Sequence, residues 1–294
     1  MWRGCSLMLT GMLLALMPAL ARAICADDAL GRELCLAGPA ARIVSLSPGA
    51  TELLFSAGAG SKVVGVGAWS DYPPEAEQLP RVGDSSRLDL EAIVALRPDL
   101  LVAWVDGNSR QQVERLEQLG LPAFWLAPRE FEDIPRAIES LAVLAGTEQP
   151  AQAEAQAFRA GIRQLELRYQ NAGPVRVFYQ VWDQPLMTIN RDELIGKAIE
   201  LCGGINVFGH LPRLVPRISK EAVLQAAPEV IVTSGREPGD RQWLQAWQSY
   251  DSLPAVVADN LFLEPPDILA RPTVRMLDGV THLCQTLETA RARL

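Results

Sequence analysis

The chain has 294 residues, with 27 basic against 35 acidic side chains, a net charge of −8, and 49% hydrophobic residues. An acidic balance of this size argues against binding nucleic acid or an anionic membrane surface. The length accommodates two modest domains, each with its own core.

In chain order, the first segment reads as an export signal. Arg3 supplies a positive start, Leu7 to Leu20 is apolar apart from Thr10 and Gly11, and Ala21-Arg22-Ala23 has the form of a cleavage site. Removal of residues 1–23 takes Arg3 and Arg22 away and leaves a net charge of −10. The segment is too short to span a membrane, which takes ~20 apolar residues, and no later stretch is long and apolar enough. Cys25 follows Ile24 rather than a small residue, so a lipid anchor is not expected and a soluble exported protein is.

Four cysteines remain after the leader: Cys25, Cys35, Cys202 and Cys284. An even number in an oxidising compartment suggests two disulfides, with three possible pairings. Closeness in the chain favours Cys25–Cys35, which would leave Cys202–Cys284 to staple the second half. Metal binding is the competing reading, but the chain has no C-x-x-C and only His210 and His282 to assist, so no metal site is expected.

Strands and helices then alternate. Ile43 to Leu46 reads as a buried strand, followed by a helix through Thr51 to Phe55 that stops at the Gly58/Gly60 pair. Strands are predicted at Val63–Val66, Leu100–Trp104 and Ala123–Leu126, and helices at Leu88–Leu96, Gln111–Leu119 and Ile134–Ala145. Gln149 to Gln170 carries Phe158, Ile162, Leu165 and Tyr169 at alternating spacings of four and three, which predicts one long helix. A second series follows. Its strands are Val175–Val181, Val230–Thr233 and Leu261–Leu263, and its helices Leu194–Leu201, Ser219–Ala226, Arg241–Trp247 and Val274–Arg293. The fold class is therefore α/β, with mostly parallel sheets.

The two series share a unit. Glu91 to Val102 is echoed 130 residues later by Glu221 to Val232, with Glu, Ala, Pro and Val at matching positions. Each copy reads as a short helix, a proline turn and a buried strand. Two similar lobes joined by the long helix follow from this repeat, with a cleft between them. The expected divisions are a lobe at 24–147, a linker at 148–173 and a lobe at 174–294.

Candidate site residues come from strand ends, because ligands of α/β folds bind beyond the carboxyl ends of strands. Trp69, Trp104 and Trp182 all stand there and could stack on a large flat ligand, although each alone suits ordinary packing. Asp267 and Arg271, in the loop before the last helix, could fix polar edges of a ligand or simply pair with each other. Glu91 and Glu221 sit at the second position of the repeated helices. An acid there complements the helix dipole; two equivalent acids could also dock on basic residues of a partner. Catalytic signatures are weak: Gly83-Asp84-Ser85-Ser86 resembles an esterase nucleophile block, but neither histidine stands in a supporting context for Ser85, and no enzyme is expected.

Arg42 to Pro48, Thr51-Glu52, Ser70-Asp71-Tyr72-Pro73-Pro74, Leu90 to Leu101 and Leu201-Cys202-Gly203-Gly204 resemble the helix-linked periplasmic substrate-binding proteins of ABC importers. The likeness runs from Ala40 to near the end and is nearest to the cobalamin binders of that family. It implies two α/β lobes, one linking helix, a corrinoid in the cleft and a periplasmic location. A monomer that carries cobalamin as cargo, with no cofactor of its own, is expected. It further implies that Glu91 and Glu221 meet the importer's permease, that Cys202 pairs with Cys284, and that Trp69, Trp104 and the Asp267–Arg271 loop face the ligand. Two tryptophans of such binders, near Ser85 and Leu214, are missing here. Haem and iron-siderophore binders share the fold; Tyr72 could serve the former, and Arg87, Arg213, Arg217 and Arg271 the latter.

Overall fold

Two four-stranded parallel sheets, each covered by helices on both faces, account for most of the chain. The structure is a computed structural model that describes residues 23–235 and 241–294. The export segment lies outside the described residues, apart from Ala23.

The first sheet contains β3 (Ile43–Ser45), β4 (Val63–Val66), β5 (Leu100–Trp104) and β6 (Ala123–Leu126), in the order β4-β3-β5-β6. These strands are buried almost throughout, as parallel strands between helical layers must be. On one face, α1 (Pro48–Ser56) and α4 (Asp133–Ala145) pack on Ile43, Leu100, Val102 and Phe124. On the other, α2 (Leu90–Ala95) and α3 (Arg110–Gln118) deliver Ile93, Val113 and Leu116 against Val44, Leu101 and Trp125.

Next comes α5 (Glu148–Tyr169), 22 residues long and within one residue of its predicted ends. Its buried stripe is Ala151, Ala155, Phe158, Ile162, Leu165 and Tyr169. At 1.5 Å per residue it spans roughly 33 Å.

The second sheet holds β7 (Val175–Gln180), β8 (Gly204–Asn206), β9 (Val230–Ser234) and β10 (Leu261–Glu264), in the order β8-β7-β9-β10. Read by position within each lobe, both sheets run second-first-third-fourth. Here α6 (Leu194–Leu201) and α10 (Met276–Arg291) cover the face shared with α5. The far face carries α7 (Lys220–Ala226), α8 (Arg241–Trp247) and α9 (Pro254–Val257). The inner core is continuous: Phe158 and Ile162 of α5 belong to one buried cluster with residues of both sheets.

The repeat extends beyond its side chains. Asp89 and Ser219 cap α2 and α7 by accepting the backbone N–H of Ala92 (2.9 Å) and Ala222 (3.2 Å). Arg97 and Ala227, at equivalent positions before the proline, both take left-handed backbone (φ 47° and 43°). Asp99 accepts the backbone N–H of Arg42, and Glu229 that of Arg176. The same two arginines donate to the carbonyls of Leu96 and Ala226. One strand-entry clamp has thus been used twice.

An N-terminal hairpin and two short elements lie outside the predicted pattern. β1 (Ile24–Asp27) and β2 (Glu33–Leu36) form an antiparallel hairpin closed by Cys25–Cys35. It sits beside the edge strand β6, with Ala29 N–H donating to the Trp125 carbonyl and Arg32 to that of Ala123. An edge covered in this way cannot pair with another chain. Strand β8 and helix α9, of three and four residues, are too short to show a period. The last helix begins at Met276, two residues later than predicted, after a turn that serves the site below. The second disulfide joins Cys202, at the end of α6, to Cys284 of α10.

Candidate functional site

The carboxyl ends of the two sheets face each other. Contacts between them tie the loop after β4 to the loop after β10, and the segment after β6 to α6.

The loop after β4 carries Trp69, which is 77% exposed and adopts φ 65°. Left-handed backbone at a bulky residue is costly and persists only where surroundings impose it. The imposing groups are visible. Ser70 is buried, with its hydroxyl 3.0 Å from Thr51 Oγ1, which donates in turn to Ser45 Oγ at 2.8 Å. Arg81 donates to the Ser70 carbonyl at 2.9 Å. The outward aim of the Trp69 indole is therefore fixed by a hydroxyl chain reaching back to β3.

Trp104 ends β5 half-buried, its ring lying against Gly49 at the start of α1. A β-carbon at position 49 would come within 3.0 Å of Trp104 Cζ3, so glycine allows this approach. Asn108 holds the strand end by accepting from Trp104 N–H (2.8 Å) and donating to the Leu46 carbonyl (2.8 Å). Trp182 follows β7 in the other lobe, 53% exposed, with its ring edge-on to Trp243 at 5.4 Å and its Nε1–H on the Gln184 carbonyl. Trp243 thus buttresses a candidate site residue. Trp125 and Trp247 are core.

Asp267 and Arg271 are joined at 3.2 Å, and Arg271 does more. It spans the lobes, donating to Glu52 Oε1 (3.0 Å), Asp71 Oδ1 (2.6 Å) and the Trp69 carbonyl (3.4 Å). Its side chain is only 14% exposed. Burial favours loss of the guanidinium proton, but the carboxylates of Asp71, Glu52 and Asp267 outweigh it and raise the Arg271 pKa. Arg275 lies with its guanidinium 4.0 Å above the Tyr72 ring and also reaches Glu52. The structure therefore brings Trp69, Asp267 and Arg271 together. Glu52, Asp71, Thr273 and Arg275 complete that cluster without having been singled out from the sequence as site residues. Thr51-Glu52 was noticeable as a motif, but burial of the acid is invisible in one dimension.

At the other end of the interface, Lys197 of α6 pairs with Glu130 beyond β6, and neighbouring Arg129 pairs with Asp106. Glu193 caps α6 from a half-buried position, and desolvation raises its carboxyl above the usual range.

Glu91 and Glu221 are exposed, one on each lobe. Helices α2 and α7 each turn back into the third strand of their sheet, so their N-termini lie toward the strand ends that carry the cleft. The Glu221 carboxyl is held below its usual range by its own backbone N–H and by the Ser219 hydroxyl. Ser86 and Arg87 turn around Asp84, whose carboxylate accepts from Ser86 Oγ and from both backbone N–H groups. Among the described residues no hydrogen bond joins Ser85 to a histidine; His282 is instead paired with buried Glu264.

A family model described as periplasmic binding protein matches residues 43–268. A vitamin B12-binding protein of Vibrio cholerae serotype O1 is 36% identical over 253 residues, covering 86% of this chain and 91% of the relative. The crystal structure of the periplasmic vitamin B12 binding protein BtuF of Vibrio cholerae superposes with a TM-score of 0.79 at 36% identity, covering 86% of this chain and 98% of that one. The periplasmic haem-binding protein BhuT, in complex with two haems, superposes with a TM-score of 0.77 at 21% identity, covering 86% and 99%; at that identity the likeness is one of fold.

Proposed function

We infer the function from one premise: the chain belongs to the periplasmic binding protein family. It is a binding protein for cobalamin or a related corrinoid. The observation that carries this is the 36% identity to a vitamin B12-binding protein across nine-tenths of that protein's length. The geometry supports the same reading. An exposed indole fixed outward on strained backbone, a second at a strand end and a third in the facing lobe suit a broad, flat, largely apolar ligand.

The finer assignments are ours. Trp69, Trp104 and Trp182 supply stacking surface. Asp267 and Arg271 set the polar wall, Arg271 with little of its side chain left to solvent. Glu91 and Glu221 meet the permease of an ABC importer, and the corrinoid is handed on unchanged. The protein works as a periplasmic monomer after loss of residues 1–23, with lobes at 24–147 and 174–294 and the linker helix between. Haem or an iron-siderophore is the second reading, favoured only by the shared fold.

Calorimetric titration of the purified mature protein decides between these ligands. Cyanocobalamin is expected to bind one-to-one, and haemin and a ferric siderophore not at all; binding of haemin with none of cyanocobalamin would overturn the assignment. Trp69→Ala is expected to weaken cyanocobalamin by about 2 kcal/mol, as loss of a central aromatic contact does. Its melting temperature should hardly move, because an exposed side chain supports little of the fold.

A further inference from the structure

Glu52 is an acid where the local sequence gives no reason for one. It is the fifth residue of α1, beyond the first turn where a carboxylate complements the helix dipole, and it is 2% exposed beside Ala50, Leu53 and Leu54. Burying a carboxylate is unfavourable unless it is paired and hydrogen-bonded. Here, among the described residues, every side-chain partner comes from the opposite lobe. Arg271 and Arg275 donate to Oε1 at 3.0 and 3.1 Å, and Thr273 Oγ1 donates to Oε2 at 2.7 Å. Those three residues belong to the turn between β10 and α10. The same two arginines continue onto the loop after β4, Arg271 to Asp71 and Arg275 to the face of Tyr72. One buried carboxylate therefore sets two loops from two lobes, and these loops carry Trp69, Asp267 and Arg271.

We propose that Glu52 is the positioning residue of the ligand cleft: it fixes the 267–275 turn against the 69–72 loop before any ligand arrives. It touches no ligand itself. Its effect is preorganisation, which reduces the ordering that binding must otherwise supply. The inference rests on the cobalamin reading only in its choice of probe.

The test uses the whole mature protein, with Glu52→Gln as the isosteric variant that removes the charge. Thr273→Val is the second variant, because it leaves every charge in place and removes one hydrogen bond to Glu52. Amide hydrogen exchange without ligand should rise in residues 267–275 and 69–72 of Glu52→Gln, and not in the sheets. Stopped-flow binding of cyanocobalamin should show dissociation roughly tenfold faster with little change in association, since affinity differences within one interface fall mainly on the off-rate. Thr273→Val should show the same changes to a smaller extent. Adding Arg275→Gln to Glu52→Gln should cost little more, because the two act as one unit.

Unchanged exchange in both loops would overturn the proposal. So would exchange that rises throughout the molecule, with affinity falling in step with stability, since Glu52 would then be a structural residue only. If the unaltered protein fails to bind cyanocobalamin, the cobalamin reading fails, and the exchange experiment still decides the role of Glu52.

Discussion

Cells whose only copy carries Glu91→Ala together with Glu221→Ala are expected to lose cobalamin uptake, while the purified double variant binds cyanocobalamin as before. The two carboxylates stand at the second position of helices that are structural copies of each other, capped by Asp89 and Ser219. Both are exposed, and among the described residues neither forms an ion pair. Removing a carboxylate from a helix N-terminus costs only ~0.3–1 kcal/mol of dipole complementation, so the fold should survive with a small shift in melting temperature. Neither α2 nor α7 contributes to the Trp69–Arg271 cluster, so ligand affinity should stay within experimental error. Each single variant should retain part of the uptake, because the other lobe still docks. Charge is the operative property: Gln at both positions should behave like Ala. Uptake at the unaltered rate in the double variant would reduce both acids to dipole partners and remove the docking role.

The second large effect is on stability. Cys202→Ser with Cys284→Ser is expected to lower the melting temperature by about 10 °C under oxidising conditions, measured by circular dichroism. The bond joins residues 82 apart in the chain, and both sulfurs are fully buried between α6 and α10. In the chain-entropy view a closed loop of that length contributes about 4 kcal/mol, and a protein of this size loses a few degrees per kcal/mol. Cyanocobalamin affinity at 25 °C should be preserved, because α10 packs on α5 and α6 through Val280, Leu283 and Leu287 with or without the bond. A drop of less than about 2 °C would mean that the unfolded chain gains little freedom when the bond is removed. The Cys25–Cys35 bond is a different case. It closes a ten-residue separation in a hairpin that precedes the family-matched region, so its loss concerns the cover over β6 rather than the core.

These predictions draw on two kinds of information that the chain carries unequally. Local pattern alone located the repeated units, because each is specified by a cap, an apolar period and a proline turn within a dozen residues. The bounds of α5 came within one residue for the same reason: its stripe at alternating spacings of four and three runs from Ala151 to Tyr169 without interruption. Alternation of strand and helix was sufficient for the parallel sheets. Short elements escaped, since the three residues of β8 and the four-residue arms of the hairpin contain too few positions for a period to emerge.

The site divides along the same line. Strand-end position and residue type singled out Trp69, Trp104, Trp182, Asp267 and Arg271, and the repeat singled out Glu91 and Glu221. Sequence alone left Asp267 and Arg271 either as ligand contacts or as a local ion pair. The tertiary structure shows the pair and adds an interlobe tie, because the partners Glu52 and Asp71 stand 219 and 200 residues away from Arg271 in the chain. A glutamate reads the same in sequence whether it faces water or two arginines. What separates Glu52 from Glu91 is burial, and burial is decided only when α1 of one lobe meets the turn before α10 of the other.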